Sequence, residues 1–199
     1  MIFEWRVYRF TPGRATEYLA SFEREGLSLV TRHLPMLGYW LTECGELNTL
    51  HHLWVYRDLA DRVARRVRLA ADDEWTRGFG PRAFPMIEHQ RSRLLEVVAG
   101  SPRLDAATSA ATEAAGPPPT ASAGNLVLGS WSALETGRGE FDAVAPGTET
   151  VAIWRVLAGE GPGDYMRLTR AETAEEFPLA NRSGQSCDLM RPARFSPLG

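Results

Sequence analysis

The residues with the clearest chemical potential lie in a predicted β-hairpin over residues 37–57. Aromatic and branched side chains flank a polar turn containing Gly45, a pattern typical of two antiparallel strands. Because successive side chains leave a strand on opposite faces, His52, Trp54 and Tyr56 share one face. An imidazole titrates near neutrality, so His52 is the leading candidate for a general acid or base. The alternative is a hydrogen-bonded histidine in a packed barrel, and the sequence does not separate the two.

The first strand, residues 2–10, carries a second group of polar side chains. Alternation places Glu4, Arg6 and Tyr8 on one face, and the apolar Phe3, Trp5 and Val7 on the other. A carboxylate beside a guanidinium can hold an enolate or carboxylate group of a substrate. An ion pair that fixes strand register is the alternative reading of Glu4 and Arg6.

Other polar residues complete the candidate site. Glu43 ends the first hairpin strand, where it is either a proton acceptor or a turn residue, and His51 is expected to face the helices or the rim. Arg62, Arg65 and Arg66 have the spacing of a solvated helix face, although one of them can reach an acid on the first strands. The predicted catalytic residues are His52, Glu4, Arg6 and Glu43. The predicted substrate-binding residues are Tyr8, Trp40, Trp54, Tyr56, Arg62 and Gln90.

Composition excludes several classes of function. A net charge of −3 argues against nucleic-acid binding, and the absence of lysine excludes Schiff-base chemistry. Cys44 and Cys187 are too few for a disulfide framework or a zinc site, and they indicate a reduced, cytoplasmic setting. His33 and His89 lack a second ligand at any recognised spacing, so no metal is expected. No cofactor is expected either, although haem needs only one histidine and stays open.

Two helices are predicted to position these strands. The first follows Pro12 and Gly13, with inward positions Ala15, Leu19, Phe22, Leu27 and Val30. Asp58 can cap the second, in which Leu59, Val63, Val67 and Ala70 are expected inward and Arg62, Arg65, Arg66 and Arg68 largely outside. A last strand over residues 86–97 completes a βαββαβ order. This order predicts an α+β, ferredoxin-like sheet with both helices on one face and the other face open.

An open apolar face has to be covered, and the rest of the chain offers a partner. Residues 100–124 are rich in Pro, Ala, Ser and Thr and are predicted to form a linker between a domain at 1–99 and one at 125–199. Strands are expected over 125–134, 150–157 and 186–191, and a helix over 163–176. Residues 153–156 echo 53–56, which suggests a shortened second copy lacking most of the first helix and one hairpin strand. Two sheets packed face to face would close a barrel, and the shortened copy favours a homodimer.

The motifs of the first half resemble the NIPSNAP family of the dimeric α/β-barrel superfamily. The matching segments, which cover residues 1–95, are Phe3–Tyr8 with Pro12-Gly13, Leu37–Glu43, Gly45–Asn48, His52–Tyr56, Asp61-Arg62, Arg65-Arg66, Glu74-Trp75 and Gln90. The tail at 191–198 also resembles NIPSNAP endings. The second copy has Ala152 and Val156 where the first has His52 and Tyr56, so the first half is expected to supply any chemistry. The superfamily includes cofactor-free monooxygenases, polyketide cyclases and haem enzymes, and the resemblance implies a pocket inside the barrel.

The leading functional hypothesis is a cofactor-independent enzyme of bacterial secondary metabolism. It would act on a small hydrophobic or aromatic metabolite by rearrangement, cyclisation or monooxygenation, with His52 moving a proton in the barrel pocket. The alternative is a non-catalytic protein that binds a ligand or haem, or serves as a scaffold. The N-terminus begins a strand at once, so neither a signal peptide nor a membrane span is expected.

Overall fold

The computed structural model of this chain describes residues 1–113, 130–138, 141, 145–177 and 185–199. Eight antiparallel strands close a barrel in the order β1-β3-β2-β8-β5-β7-β6-β4. The strands are β1 Ile2–Phe10, β2 Met36–Cys44, β3 Thr49–Tyr56, β4 Ile87–Gly100, β5 Trp131–Gly137, β6 Glu149–Ala158, β7 Tyr165–Ala171 and β8 Gln185–Pro192. The barrel therefore closes within one chain.

Each half of the barrel has the strand order of a ferredoxin-like sheet. Strands β4-β1-β3-β2 form one half and β8-β5-β7-β6 repeat the order, with the halves joined at β2–β8 and β4–β6. The α+β, ferredoxin-like barrel predicted from the sequence is confirmed. The second half has all four strands, so the predicted loss of a hairpin strand is wrong. The echo of residues 53–56 in 153–156 also misaligns the halves, because β6 occupies the position of β2 and not that of β3.

The helix predicted over residues 163–176 is mostly the strand β7. Met166 and Leu168 pack into the barrel lumen, and Arg167 lies between them on the other face. Only Ala174–Glu176 is helical, as a single 3₁₀ turn that Thr173 and Glu176 cap reciprocally. Side chains in β7 alternate between the two faces of the sheet, as in a strand. The helix prediction was wrong because it extended the helix-forming composition of the following residues back over β7.

Helices cover the outer face of the first sheet. They are α1 Arg14–Ser21, α2 Leu27–Thr31, α3 Leu59–Ala70 and α4 Gly80–Ala83, whereas α5 Pro102–Glu113 packs against the lumen side chains. A π-helical segment, Phe22–Gly26, joins α1 to α2, and a second one, Glu74–Phe79, precedes α4. Tyr18, Leu19 and Phe22 pack against Tyr39 and Trp54 of the sheet. A layer of buried side chains therefore separates the helices from the sheet.

Large apolar side chains fill the barrel lumen. Phe3, Trp5 and Val7 of β1 pack there against Trp154 and Val156 of the second half. The ring of Trp5 stacks on Trp40 with centroids 5.3 Å apart. The expectation that the face with Glu4 and His52 lines the lumen is therefore wrong. That face lies outside the barrel, beneath the helices, because the purely apolar face of β1 is the one that meets the second sheet.

Part of the predicted linker is helix α5. Pro102 occupies its first turn, and the Ser101 hydroxyl accepts a hydrogen bond from the Leu104 amide at 3.3 Å. Leu104 is buried with the lumen residues, and Ala107 and Ala111 pack against the same cluster. Residues 114–124 of the predicted linker lie outside the described residues. The helix covers the end of the lumen to which β4 leads.

Helix α3 is turned the opposite way from the prediction. Leu59, Val63 and Val67 are exposed, whereas Arg62 and Arg66 point toward β1. The physical cause is the buried carboxylate of Glu4, which requires positive partners beneath the helix. Asp58 caps the helix as expected by accepting from the Asp61 amide at 2.8 Å.

Candidate functional site

The candidate site is built around the carboxylate of Glu4, which has no solvent exposure. The Arg62 guanidinium donates to Glu4 Oε1 at 2.7 Å, and Arg66 donates to Oε2 through Nη2 at 2.6 Å. Arg6, on the same strand, donates to Oε1 at 3.2 Å. Three guanidiniums thus meet one carboxylate where α3 crosses β1. The sequence expectation that a helix arginine reaches an acid on the first strand is confirmed twice.

Two hydroxyl groups complete the surroundings of Glu4. Ser92 Oγ donates to Oε1 at 2.9 Å, and the Tyr56 hydroxyl donates to Oε2 at 3.2 Å. Burial by itself raises the pKa of Glu4, but the Arg62 hydrogen bond and the charges of Arg66 and Arg6 outweigh it and hold the pKa far below its usual range. Glu4 is therefore ionised and fully hydrogen-bonded, which makes it a poor general base.

Arg6 extends the site toward solvent. Its Nη2 donates to the Tyr8 hydroxyl at 3.2 Å and to Gln90 Oε1 at 3.1 Å, so both of these predicted binding residues belong to the cluster. The side chains of Arg6, Arg62 and Arg66 are 16, 24 and 26% exposed. The Nε atoms of Arg6 and Arg62 are buried and have no partner among the described residues. Arg6 and Arg62 thus each retain one donor without an acceptor among the described residues, at a buried atom of a partly exposed side chain.

We call Glu4, Arg6, Arg62 and Arg66 the arginine cluster. It holds three positive charges against one negative charge, and no second carboxylate in the described part of the chain pairs with these arginines. The neighbouring acid Asp61 is paired with other arginines of the same region. An uncompensated excess of two positive charges at a partly exposed position favours an anionic ligand.

His52 lies beside the arginine cluster in the layer between sheet and helices. The Trp54 indole N–H donates to His52 Nδ1 at 2.7 Å, so the neutral ring carries its proton on Nε2. That Nε2 is buried and has no partner among the described residues. The imidazole ring stacks on the ring of Tyr39 with centroids 4.9 Å apart, and it packs nearly perpendicular to the ring of Tyr8 with centroids 4.5 Å apart.

The surroundings of His52 define its chemistry. Burial, followed by the positive charges of Arg6 and Arg66, lowers its pKa well below the usual value. The ring is therefore neutral, with one nitrogen occupied as an acceptor and the other presenting an N–H group. In this arrangement His52 is a hydrogen-bond donor and not a proton acceptor.

Two predicted site residues lie apart from the cluster. Trp40 points into the lumen, where it stacks on Trp5, and Glu43 stands at an exposed strand end with Arg191 at 3.7 Å. Trp54 and Tyr56 do join the site, but as buried side chains that hold His52 and Glu4. The predicted open aromatic pocket is thus reduced to the half-buried Tyr8.

The prediction that His51 faces the helices or the rim is wrong. His51 lies in the lumen, where the Trp5 indole N–H donates to Nδ1 at 3.1 Å and Thr42 Oγ1 lies 3.0 Å from Nε2. Burial, with the charges of Arg91 and Arg93, lowers its pKa to about 3. Sequence reasoning missed Ser92 altogether, because its contact with Glu4 depends on the register that sets Arg6 opposite Ser92.

The described residues were also compared with the requirements of a metal site and of a membrane-spanning helix. No group of three or more His, Cys, Asp or Glu side chains in this part of the chain is arranged to hold a metal ion. None of the described helices has the length and apolar character needed to cross a membrane.

Comparison with known proteins places the chain in a family. The NIPSNAP family model matches residues 3–102, which include the whole arginine cluster and His52. The chain belongs to the NIPSNAP family. The human protein NipSnap homolog 3A is 34% identical over 99 residues, which are 49% of this chain and 40% of that protein. The mouse NipSnap homolog 3B is 38% identical over 78 residues, 39% of this chain and 31% of its own. The chain thus covers less than half of these relatives.

Solved structures extend the comparison to both halves. A NIPSNAP domain protein from Burkholderia xenovorans is 40% identical and covers 51% of this chain and 99% of its own, with a TM-score of 0.49. A putative monooxygenase from Lactobacillus acidophilus NCFM covers 96% of this chain and 93% of its own, with a TM-score of 0.55 and 9% identity. At that identity the likeness shows a shared fold alone. The family match therefore covers the first half, and the fold match covers both.

Proposed function

We propose that this NIPSNAP protein binds a small hydrophobic or aromatic metabolite that carries an anionic oxygen, such as a carboxylate or an enolate. The observation that carries the proposal is the charge imbalance of the arginine cluster, in which three guanidiniums share the single carboxylate of Glu4. An exposed ion-pair network needs no such excess, whereas an anion site does.

The neighbours of the cluster support an aromatic ligand. The centroid of the half-buried Tyr8 ring lies 5.4 Å from the guanidinium carbon of Arg6. The same ring packs nearly perpendicular to the ring of His52, with their centroids 4.5 Å apart. A planar ligand on Tyr8 would place its anionic group against Arg6, Arg62 and Arg66. Binding therefore combines apolar contact with charge-assisted hydrogen bonds.

The test compares two probes of equal shape by isothermal titration calorimetry. 2-Naphthoate is expected to bind about tenfold or more tightly than the neutral 2-naphthamide, because hydrogen bonds to charged groups are worth about 1.5–3 kcal/mol. Arg62→Gln and Arg66→Gln should each weaken naphthoate binding by about tenfold and leave naphthamide unchanged.

The matched control is Arg77→Gln, which removes the same charge at an exposed arginine that pairs with Asp73. Its affinity for 2-naphthoate should equal that of the wild type. Equal affinity of the two probes for the wild type, or an equal loss in the Arg77 variant, would refute an anion site in the arginine cluster.

A second candidate function is cofactor-independent catalysis on the same ligand class. The buried N–H of His52, which has no partner among the described residues, lies beside three guanidiniums, and this arrangement favours an enolate over its ketone. Because Glu4 and His52 are not proton acceptors here, this catalysis would rest on stabilising the enolate, and the proton would leave to water. Enolisation is the shared step of the rearrangements and cyclisations predicted from the sequence.

Deuterium incorporation into 2-tetralone in D₂O, followed by NMR, tests this candidate directly. The wild type should accelerate exchange at the carbon next to the carbonyl, and His52→Gln and Arg66→Gln should slow it by about tenfold or more. Exchange no faster than in buffer would leave a binding protein without this catalytic activity.

A further inference from the structure

A row of four side chains crosses the outer face of the first sheet beneath the helices. Ser92 of β4 lies opposite Arg6 of β1. His52 of β3 lies between Arg6 and Tyr39 of β2 and is paired with both. Directly opposed residues of antiparallel strands share a face, with Cβ atoms about 4.5–5.5 Å apart. Arg6 and His52 are therefore immediate neighbours, although they are distant in the sequence.

These two neighbours each hold a buried N–H group, Nε of Arg6 and Nε2 of His52, that has no acceptor among the described residues. The terminal nitrogens of Arg6 bond to Glu4, Tyr8 and Gln90, and these contacts leave Nε over. His52 is 3% exposed, and its other ring nitrogen is already used as an acceptor. A buried N–H group that lacks an acceptor loses its hydration without compensation. Two such groups side by side therefore favour a bound molecule that supplies an acceptor.

The carboxylate of Glu4 limits what this acceptor can be. It accepts from five side chains, those of Arg6, Arg62, Arg66, Ser92 and Tyr56. A carboxylate has about four lone-pair sites, so Glu4 has no room for a further donor. A hydroxyl group or a water molecule would bring an O–H group of its own, whereas a carbonyl oxygen only accepts. A carbonyl oxygen is thus the acceptor that suits this pair of N–H groups.

We propose that the ligand of this site is an aromatic 2-oxo acid. The inference rests on the proposed function, because it assigns the carboxylate of the ligand to Arg62 and Arg66 of the arginine cluster. The 2-oxo oxygen accepts from Nε2 of His52 and Nε of Arg6. In a 2-oxo acid the carboxylate and the carbonyl stand on adjacent carbons, as a site requires in which both sets of donors meet at Arg6. The aromatic part lies toward the half-buried ring of Tyr8.

Three carboxylates of equal charge and nearly equal shape test this inference by isothermal titration calorimetry. 2-Naphthylglyoxylate carries a carbonyl next to the carboxylate, 2-naphthylglycolate a hydroxyl group, and 2-naphthylacetate a methylene group. The glyoxylate has no hydrogen on the carbon beyond the carbonyl, so it cannot enolise during the measurement. It is expected to bind about tenfold or more tightly than the other two, which should bind alike.

A pair of histidine variants locates the preference. His52→Phe keeps an aromatic ring but removes the N–H group, so the preference for the glyoxylate over the acetate should fall from about tenfold to about twofold or less. His51→Phe makes the same change on the lumen face of β3 and is the matched control. Its preference for the glyoxylate should equal that of the wild type. Far-UV circular dichroism checks that both variants are folded.

NMR of the wild-type chain with isotope-labelled histidine makes the test independent of the variants. The resonance of the His52 Nε2–H group should shift on addition of 2-naphthylglyoxylate and should stay in place with 2-naphthylacetate. The Nε2 resonance of His51, which lies 3.0 Å from Thr42 Oγ1 in the lumen, serves as the internal reference.

The outcomes separate this inference from the proposed function. If 2-naphthoate and the three probes bind but the glyoxylate has no advantage, the 2-oxo acid is refuted and the anion site stands. A preference that survives in His52→Phe, or a His52 resonance that does not respond to the glyoxylate, refutes it as well. If none of the carboxylates binds, the anion site itself is refuted, and the 2-oxo acid with it.

Discussion

Glu4 is the residue on which the outer layer of the first sheet depends. It accepts hydrogen bonds from Arg6, Arg62, Arg66, Tyr56 and Ser92, so its charge holds β1, β3, β4 and α3 together. A buried charge that loses its partner is costly, and here one carboxylate is the partner of three cations. The consequence of removing it can be measured.

Glu4→Gln is expected to lower the free energy of unfolding by about 3 kcal/mol, measured by urea denaturation. The amide keeps the shape and the acceptor oxygen but removes the one carboxylate that pairs with the three arginines among the described residues. Glu160→Gln provides the control, because Glu160 pairs with Arg91 and Arg93 at an exposed position and should cost less than about 1 kcal/mol. Similar losses in the two variants would mean that the cluster is no more than a surface network.

The two adjacent histidines make stability depend on pH. His51 and His52 are buried and neutral, with the pKa of His51 near 3 and that of His52 well below its usual value. Between pH 4.5 and 6.5 the unfolded chain therefore binds more protons than the folded chain, and the free energy of unfolding rises with pH. Over this range each histidine raises the free energy of unfolding by up to about 1.4 kcal/mol per pH unit. Above pH 6.5 both rings are neutral in the folded and the unfolded chain, so their stabilisation is complete and no longer changes with pH.

Urea denaturation at several pH values measures this slope. His51→Gln should reduce the slope by about half, since one of the two buried rings no longer takes up a proton on unfolding. His89→Gln, at an exposed position, should leave the slope unchanged. A stability that does not vary across this window would show that the rings are protonated in the folded state.

The sequence analysis named most of the residues that lie together at the arginine cluster, but not the side of the sheet on which they lie. Strand β3 is buried along its whole length, so His51 and His52 both lie in packed layers, one in the lumen and one beneath the helices. Alternation separates the two faces without telling which one turns inward. Only the pairing of β1 with the second half decides that, and it depends on contacts distant in sequence.

At the scale of elements, α3 shows why a periodic pattern can mislead. Its apolar and charged faces were identified correctly, but the preference for burying the apolar face was overridden by the need to pair Glu4. Helix α5 shows the converse. Ser101 followed by Pro102 is a start signal for a helix, yet the surrounding small residues resemble a linker.

Leu104→Ala tests the role of α5 as a cover for the lumen. Leu104 is buried with the lumen side chains, so its truncation should cost about 2–4 kcal/mol in urea denaturation. Leu47→Ala removes the same atoms from an exposed turn and should change stability by no more than about 0.5 kcal/mol. A small loss at Leu104 would indicate that the helix merely rests on the barrel.

At the scale of the molecule, the closed barrel joins two unequal halves into one packed unit. The first half carries helices and the arginine cluster on its outer face, and the second half supplies four strands that cover the first sheet. The general architecture could be predicted because an open apolar sheet needs a partner. The four strands of the second half were harder to predict, because the sequence of β7 by itself was interpreted as part of a helix. Its strand conformation becomes evident only from its pairing with β5 and β6.

The shared lumen predicts that the two halves unfold together. Trp5 and Trp40 of the first half stack with each other, and Trp154 of the second half lies 6.2 Å from Trp5, so no boundary between the halves is free of core contacts. Unfolding followed by tryptophan fluorescence and by far-UV circular dichroism should therefore give one coincident transition. Trp154→Ala should move that single transition to lower urea by a loss of about 3–5 kcal/mol. If the second half were only docked on an independently stable first half, the two probes would separate, and Trp154→Ala would weaken the earlier transition alone.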